Sequence, residues 1–148
     1  MSAADWTILL GEKPTRADRL AAERVSAHLS GLGLTVRDDA PNRIVIGTPG
    51  SNPLIRDLAP ETGKADLGRD GFVLRSVDDG VVMASATVFG VLCAWDEFRR
   101  VVNSPADLAA LDVTSRPAFD LREYKMALPK DDDFLIDRRI NLVSTSSW

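Results

Sequence analysis

The sequence predicts a mixed α/β (α+β) fold built on a small β-sheet, and three stretches carry that prediction. Trp6–Leu10, a helical pattern after Thr15, and Arg43–Gly47 open the chain as strand, helix, strand. Gly71–Val77 and Val81–Ser85 flank Asp78-Asp79-Gly80, and an Asp-Gly pair accepts the backbone of a tight antiparallel hairpin. Val88, Val91, Leu92, Trp95, Phe98 and Val102 recur at the three- and four-residue steps of an amphipathic helix from about Thr87 to Val102, which packs on the sheet.

Taken in order, Trp6-Thr7-Ile8-Leu9-Leu10 is β-branched and apolar and closes on Gly11, as a buried strand does. Thr15 then offers a side-chain oxygen to a helix start, with Asp18 three residues on. Ala17, Leu20, Ala21, Val25 and Leu29 form the apolar stripe, and the helix stops near Gly31 or Gly33. After the polar turn Asp38–Asn42 comes the second buried strand. Asn52-Pro53 predicts a short helix with Asn as cap and Pro at the first position, placing Leu54, Ile55 and Leu58 toward the core. From Asn103 to Pro117 the chain is polar and turn-forming around Leu108–Val113, which reads as a connection with a boundary near Arg116. Beyond it Leu121–Leu128 predicts a strand, Asp132–Arg139 a short helix and Ile140–Ser144 a parallel strand. A pair that small cannot cover both of its faces. Either this tail packs on the first unit or the chain is cut short, and an orphaned tail predicts self-association through its apolar surface.

Composition narrows the function classes. The 148 residues are 45% hydrophobic, enough for a core, and carry a formal charge of -4, which gives no basic footprint for nucleic acid. The longest apolar runs, Val81–Ala84 and Val88–Leu92, fall far below the roughly 20 residues of a membrane helix. The opening Met-Ser-Ala-Ala-Asp-Trp has neither the basic flank nor the apolar stretch of a secretory signal, so cytoplasm is the default compartment. One cysteine and one histidine supply neither an internal disulfide nor a multi-histidine metal site, and no cofactor is expected.

Several residues invite a chemical reading. Gly47-Thr48-Pro49-Gly50-Ser51-Asn52 lies between a strand and a helix, where free N–H groups attract anions, yet it lacks the Gly-Lys-Ser/Thr ending and Pro49 removes a donor, so a capped turn is the better reading. His28 sits beside an apolar stripe, far in sequence from Cys93 or any elbow-like serine, and Cys93 lies between Leu92 and Ala94 as ordinary packing. Asp131-Asp132-Asp133 lacks the alternating ligands and glycine of a calcium loop and reads as helix capping. Nothing places Asp120, Glu123 or Asp137 at the roughly 5–10 Å separation of glycosidase carboxylates. The Arg122 guanidinium can hold two sugar hydroxyls or pair with Glu123 or Asp120, and Trp148 is either a sugar-stacking platform or a core residue.

The series Ile44-Val45-Ile46-Gly47-Thr48-Pro49-Gly50-Ser51-Asn52-Pro53-Leu54-Ile55, then Gly71-Phe72-Val73-Leu74, then the helix Val88-Phe89-Gly90-Val91-Leu92, resembles the N-terminal domain of α-glucuronidases and β-N-acetylhexosaminidases. Phe89 stands before Gly90 where that family carries Tyr. The resemblance implies a mixed sheet with helices on one side over residues 1–115, an accessory domain. Residues 116–148 would then be a linker and the first strand, helix and second strand of an incomplete (β/α)-barrel, with Pro117 and Arg122 as the pair that opens it. It also implies a carbohydrate partner for the complete enzyme and a sugar contact for Arg122. The acid and the base or nucleophile come from later strands in such enzymes, and two strands cannot close a barrel. This chain alone is therefore expected to be a noncatalytic part of a glycoside hydrolase. The alternative is a stand-alone carbohydrate-binding or protein-interaction module with its ligand beside Arg122 and Trp148.

Overall fold

The computed structural model describes residues 5–63, 67–68 and 70–116, and the backbone of 123–125 and 142–144. Its centre is a six-stranded mixed sheet. Strand β1 (Asp5–Leu9) leads into helix α1 (Arg16–Gly31), and β2 (Thr35–Val36) and β3 (Asn42–Gly47) follow. A one-turn helix α2 (Ile55–Leu58) and a 3₁₀ turn (Pro60–Gly63) come next, then the hairpin β4 (Phe72–Val77) and β5 (Gly80–Ser85), helix α3 (Val88–Val101), a second 3₁₀ turn (Pro105–Ala109) and β6 (Asp112–Ser115). The spatial order is β2-β1-β3-β5-β4-β6. Parallel pairing joins β2, β1, β3 and β5, while β4 is antiparallel to both neighbours, so β4 alone among these strands runs the other way.

The period-two alternation of the strands sorts the core into two layers. Trp6, Ile44, Ile46, Phe72, Leu74, Val81 and Met83 point to the face covered by α1 and α3, which also pack on one another through residues such as Val25, Leu29, Val91 and Phe98. Full burial of an Ile, Leu or Phe side chain contributes about 1.5–3 kcal/mol, so this face dominates the stability. Val45, Val73, Val82 and Ala84 point the other way, against Ile55, Ala59 and Leu67. The two long helices thus share one side of a small mixed sheet, as predicted, and the short α2 segment covers part of the opposite side.

Local chemistry explains the helix ends. Thr15 Oγ1 accepts from Asp18 N–H (3.1 Å) and Asp18 Oδ2 accepts from Thr15 N–H (2.9 Å), a reciprocal capping box. At the other end Gly33, with φ of +80°, lets Leu34 N–H reach Leu29 O and its own N–H reach Ser30 O, each at 3.0 Å, closing a Schellman motif. Thr87 caps α3 by accepting from Gly90 N–H at 3.0 Å. The buried carboxylate of Asp96 lies 2.7 Å from Arg99 and 3.2 Å from Arg100, in the turn where cations suit the helix dipole.

Four features differ from the sequence reading. Helix α2 begins at Ile55 rather than at Asn52-Pro53, so Ile55 is buried while Leu54 is 40% exposed. Val88, placed in the apolar stripe by spacing, is 50% exposed because it is the first residue of α3 and lies before the helix meets the sheet. The segment read as a connection after Asn103 supplies β6, in register with β4 from Phe72↔Ser115 to Arg75↔Asp112. Strand β2 extends the opposite edge by only two residues.

Farther on, β7 (Glu123–Lys125) and β8 (Leu142–Ser144) pair in parallel with Glu123 opposite Leu142, the strand order predicted for the tail. The short helix predicted over Asp132–Arg139 lies outside the described residues.

Candidate functional site

An open α/β sheet offers a ligand the crevice at the carboxyl ends of two parallel strands whose connections leave in opposite directions. Here that point lies between β1 and β3: from β1 the chain passes through α1 to β2 on one side, and from β3 it passes through α2 to the β4–β5 hairpin on the other. A groove of about 440 Å³ opens there, between Leu10–Lys13 and Gly50–Leu54. Its rim carries the exposed Glu12, Lys13, Pro53 and Leu54.

The floor is held by a closed hydrogen-bond circuit. Ser51 Oγ accepts from Thr48 N–H (3.0 Å), while Thr48 Oγ1 accepts from Ser51 N–H (3.1 Å) and lies 3.3 Å from Ser51 Oγ. Asn52 N–H bonds Thr48 O at 2.9 Å. The N–H groups of Thr48, Ser51 and Asn52 are therefore turned onto the loop itself, and Pro49 has none, so this is the capped turn that the sequence favours.

Asn52 does more than cap. Its carboxamide nitrogen donates to Leu9 O (3.1 Å) and Ile46 O (3.0 Å), and its oxygen accepts from Leu54 N–H (3.3 Å). One buried side chain thereby ties the last turns of β1 and β3 to the start of α2. Close approach of the two loops also explains Gly11, where a Cβ would stand 1.8 Å from Ser51 O.

The other chemically versatile side chains serve packing. His28 Nε2 lies 2.7 Å from Val102 O, and its ring meets Trp95 and Phe98 edge-on at 5.9 and 5.7 Å, which joins α1 to the end of α3. Cys93 is buried on α3 at 1% exposure. Ser85 Oγ donates to Gly71 O (2.6 Å) and accepts from Thr87 N–H (3.2 Å), and α3 sits so close that a Cβ on Gly90 would lie 1.9 Å from that hydroxyl. The Phe89-Gly90 pair noted in the sequence thus has a steric reason for its glycine.

A second, shallower groove of about 600 Å³ runs along β4 and the start of β6. Arg75 there pairs with Glu61 at 2.5 Å, and Ser76 Oγ donates to Leu108 O and accepts from Leu111 N–H. Among the described residues no group of three His, Cys, Asp or Glu could hold a metal ion, and no helix is long and apolar enough to cross a membrane. Arg122 and Trp148, the predicted sugar contacts, lie outside the described residues, as do Asp120, Asp131–Asp133 and Asp137; Glu123 is described only as backbone in β7. The groove between β1 and β3 was not predicted, because it is made by two loops that meet only through the parallel pairing of their strands.

No protein-family model matches the chain, and no curated protein matches it.

Proposed function

We propose that this chain is the noncatalytic N-terminal domain of a carbohydrate-active glycoside hydrolase, joined to the first strands of its barrel, as its resemblance to α-glucuronidases and β-N-acetylhexosaminidases implies. The observation that supports this reading is the succession of two different sheets along one chain. A mixed sheet with two long helices on one face comes first, and β7 and β8 then pair in parallel across residues 126–141. Parallel neighbours need a crossover of about a dozen residues or more, usually helical, which is the repeating unit of a (β/α)-barrel. The employment of His28, Cys93 and Ser85 in packing is consistent with a noncatalytic role for the first unit.

In this reading Arg122 contacts the sugar only once the later strands complete the mouth. The test compares the native product in its source cells with the 148-residue chain. The expected result is a native product heavier than 16.1 kDa that cleaves aryl glucuronides or aryl N-acetylhexosaminides, with no turnover by the short chain. Arg122→Ala in the larger protein then lowers kcat/KM without lowering Tm. A native product of 16.1 kDa, or hydrolysis by the short chain, overturns the proposal. Light scattering of the short chain tests self-association through the tail, which a monomeric mass contradicts.

The groove between β1 and β3 favours a second reading, a stand-alone carbohydrate-binding or protein-interaction module. Titration of isotope-labelled chain with glucuronate and N-acetylglucosamine separates its two forms. Amide shifts confined to Leu10–Lys13 and Gly50–Leu54 support a sugar site, and unmoved spectra exclude these sugars as its ligands.

A further inference from the structure

We draw no further inference here: the strongest candidate, the groove at the carboxyl ends of β1 and β3 between Leu10–Lys13 and Gly50–Leu54, belongs to the site already described, its buried polar groups bond one another, and nothing in the structure shows what covers it.

Discussion

The carboxamide nitrogen of Asn52 bonds the carbonyl oxygen of Leu9, 43 residues earlier in the chain, and the same nitrogen bonds Ile46 O, so that one side chain fastens two neighbouring parallel strands where their ladder ends. Both carbonyls would otherwise end at a buried side chain with no donor. Asn52→Ala is therefore expected to cost about 2–6 kcal/mol, the sum of two orphaned acceptors at about 1–3 kcal/mol each. Asn52→Asp keeps the shape and the acceptor for Leu54 N–H but sets a carboxylate against two carbonyl oxygens, and is expected to cost at least as much. Urea unfolding of the three proteins checks this, and an Asp variant as stable as the parent would show that the clasp is not needed.

Glycine positions divide by what a methyl group would meet. At Gly11 a Cβ runs into the Ser51 backbone carbonyl at 1.8 Å, so Gly11→Ala is expected to lose about 1–3 kcal/mol or more through forced separation of the two loops. Gly31 ends α1, is exposed, and has nothing within 4 Å of a built Cβ. Gly31→Ala is expected to gain about 0.5–1 kcal/mol from helix propensity. Gly33 has equally open space but a φ of +80°, and Gly33→Ala is expected to lose about 1–2 kcal/mol from the left-handed backbone alone. Thermal unfolding of the three variants therefore distinguishes contact, propensity and conformation, and a Gly11→Ala protein with unchanged Tm would refute the loop contact.

How far the fold could be read in advance follows from the same distinction between local and distant causes. The capping box at Thr15 and Asp18, the hairpin over Asp78–Gly80 and the α3 periodicity are written within a few residues, and each stands where the sequence predicts it, although the two turn residues are Asp78 and Asp79 and Gly80 already pairs with Val77 in β5. Strand β6 is four residues long with alternate side chains exposed, and only the already formed edge of β4 makes it a strand. Asn52 carries a local signal for a cap, while its bond to Leu9 depends on a strand it meets only in three dimensions. Leu54 is apolar and falls inside a helix that starts at Pro53, but the helix begins two residues later, at Ile55, and leaves Leu54 exposed. Of the candidate site, the closed Thr48–Ser51 turn was legible from Pro49 and the missing lysine; the groove beside it was not.

His28 offers a separable pair of interactions. Its Nε2 bonds Val102 O at 2.7 Å, and its ring edge meets Trp95 and Phe98. His28→Phe retains an aromatic ring in that position and is expected to lose the hydrogen bond, about 0.5–1.5 kcal/mol. His28→Ala is expected to lose that and the ring contacts, each pair adding about 0.5–1.5 kcal/mol. Urea midpoints are expected in the order parent, Phe, Ala, and the near-ultraviolet dichroism of Trp95 is expected to change most in the Ala variant. Equal midpoints for Phe and Ala would assign the whole effect to the hydrogen bond.

Asp107 gives the chain an acid-sensitive joint between α3 and β6. Its Oδ2 accepts from the N–H of Asn103 and of Ser104, both at 2.8 Å, and from Ser104 Oγ at 3.1 Å. The two backbone N–H bonds, then the hydroxyl, hold its pKa below the ordinary aspartate value. In the unfolded chain the carboxyl takes its proton at the ordinary value, so on acidification the unfolded state gains the proton first. The stabilisation is thus complete above about pH 4 and is lost as pH falls through the lower folded value. Asp107→Asn keeps one oxygen for the same donors but no charge and has no such titration. The Tm difference between the parent and Asp107→Asn is therefore expected to be constant near neutral pH and to shrink below about pH 4. The carboxyl carbon of Asp107 is expected to titrate below the ordinary range in the folded protein. A difference that stays constant into strong acid, or an ordinary titration midpoint, would show that this turn is held by its 3₁₀ geometry and not by the carboxylate.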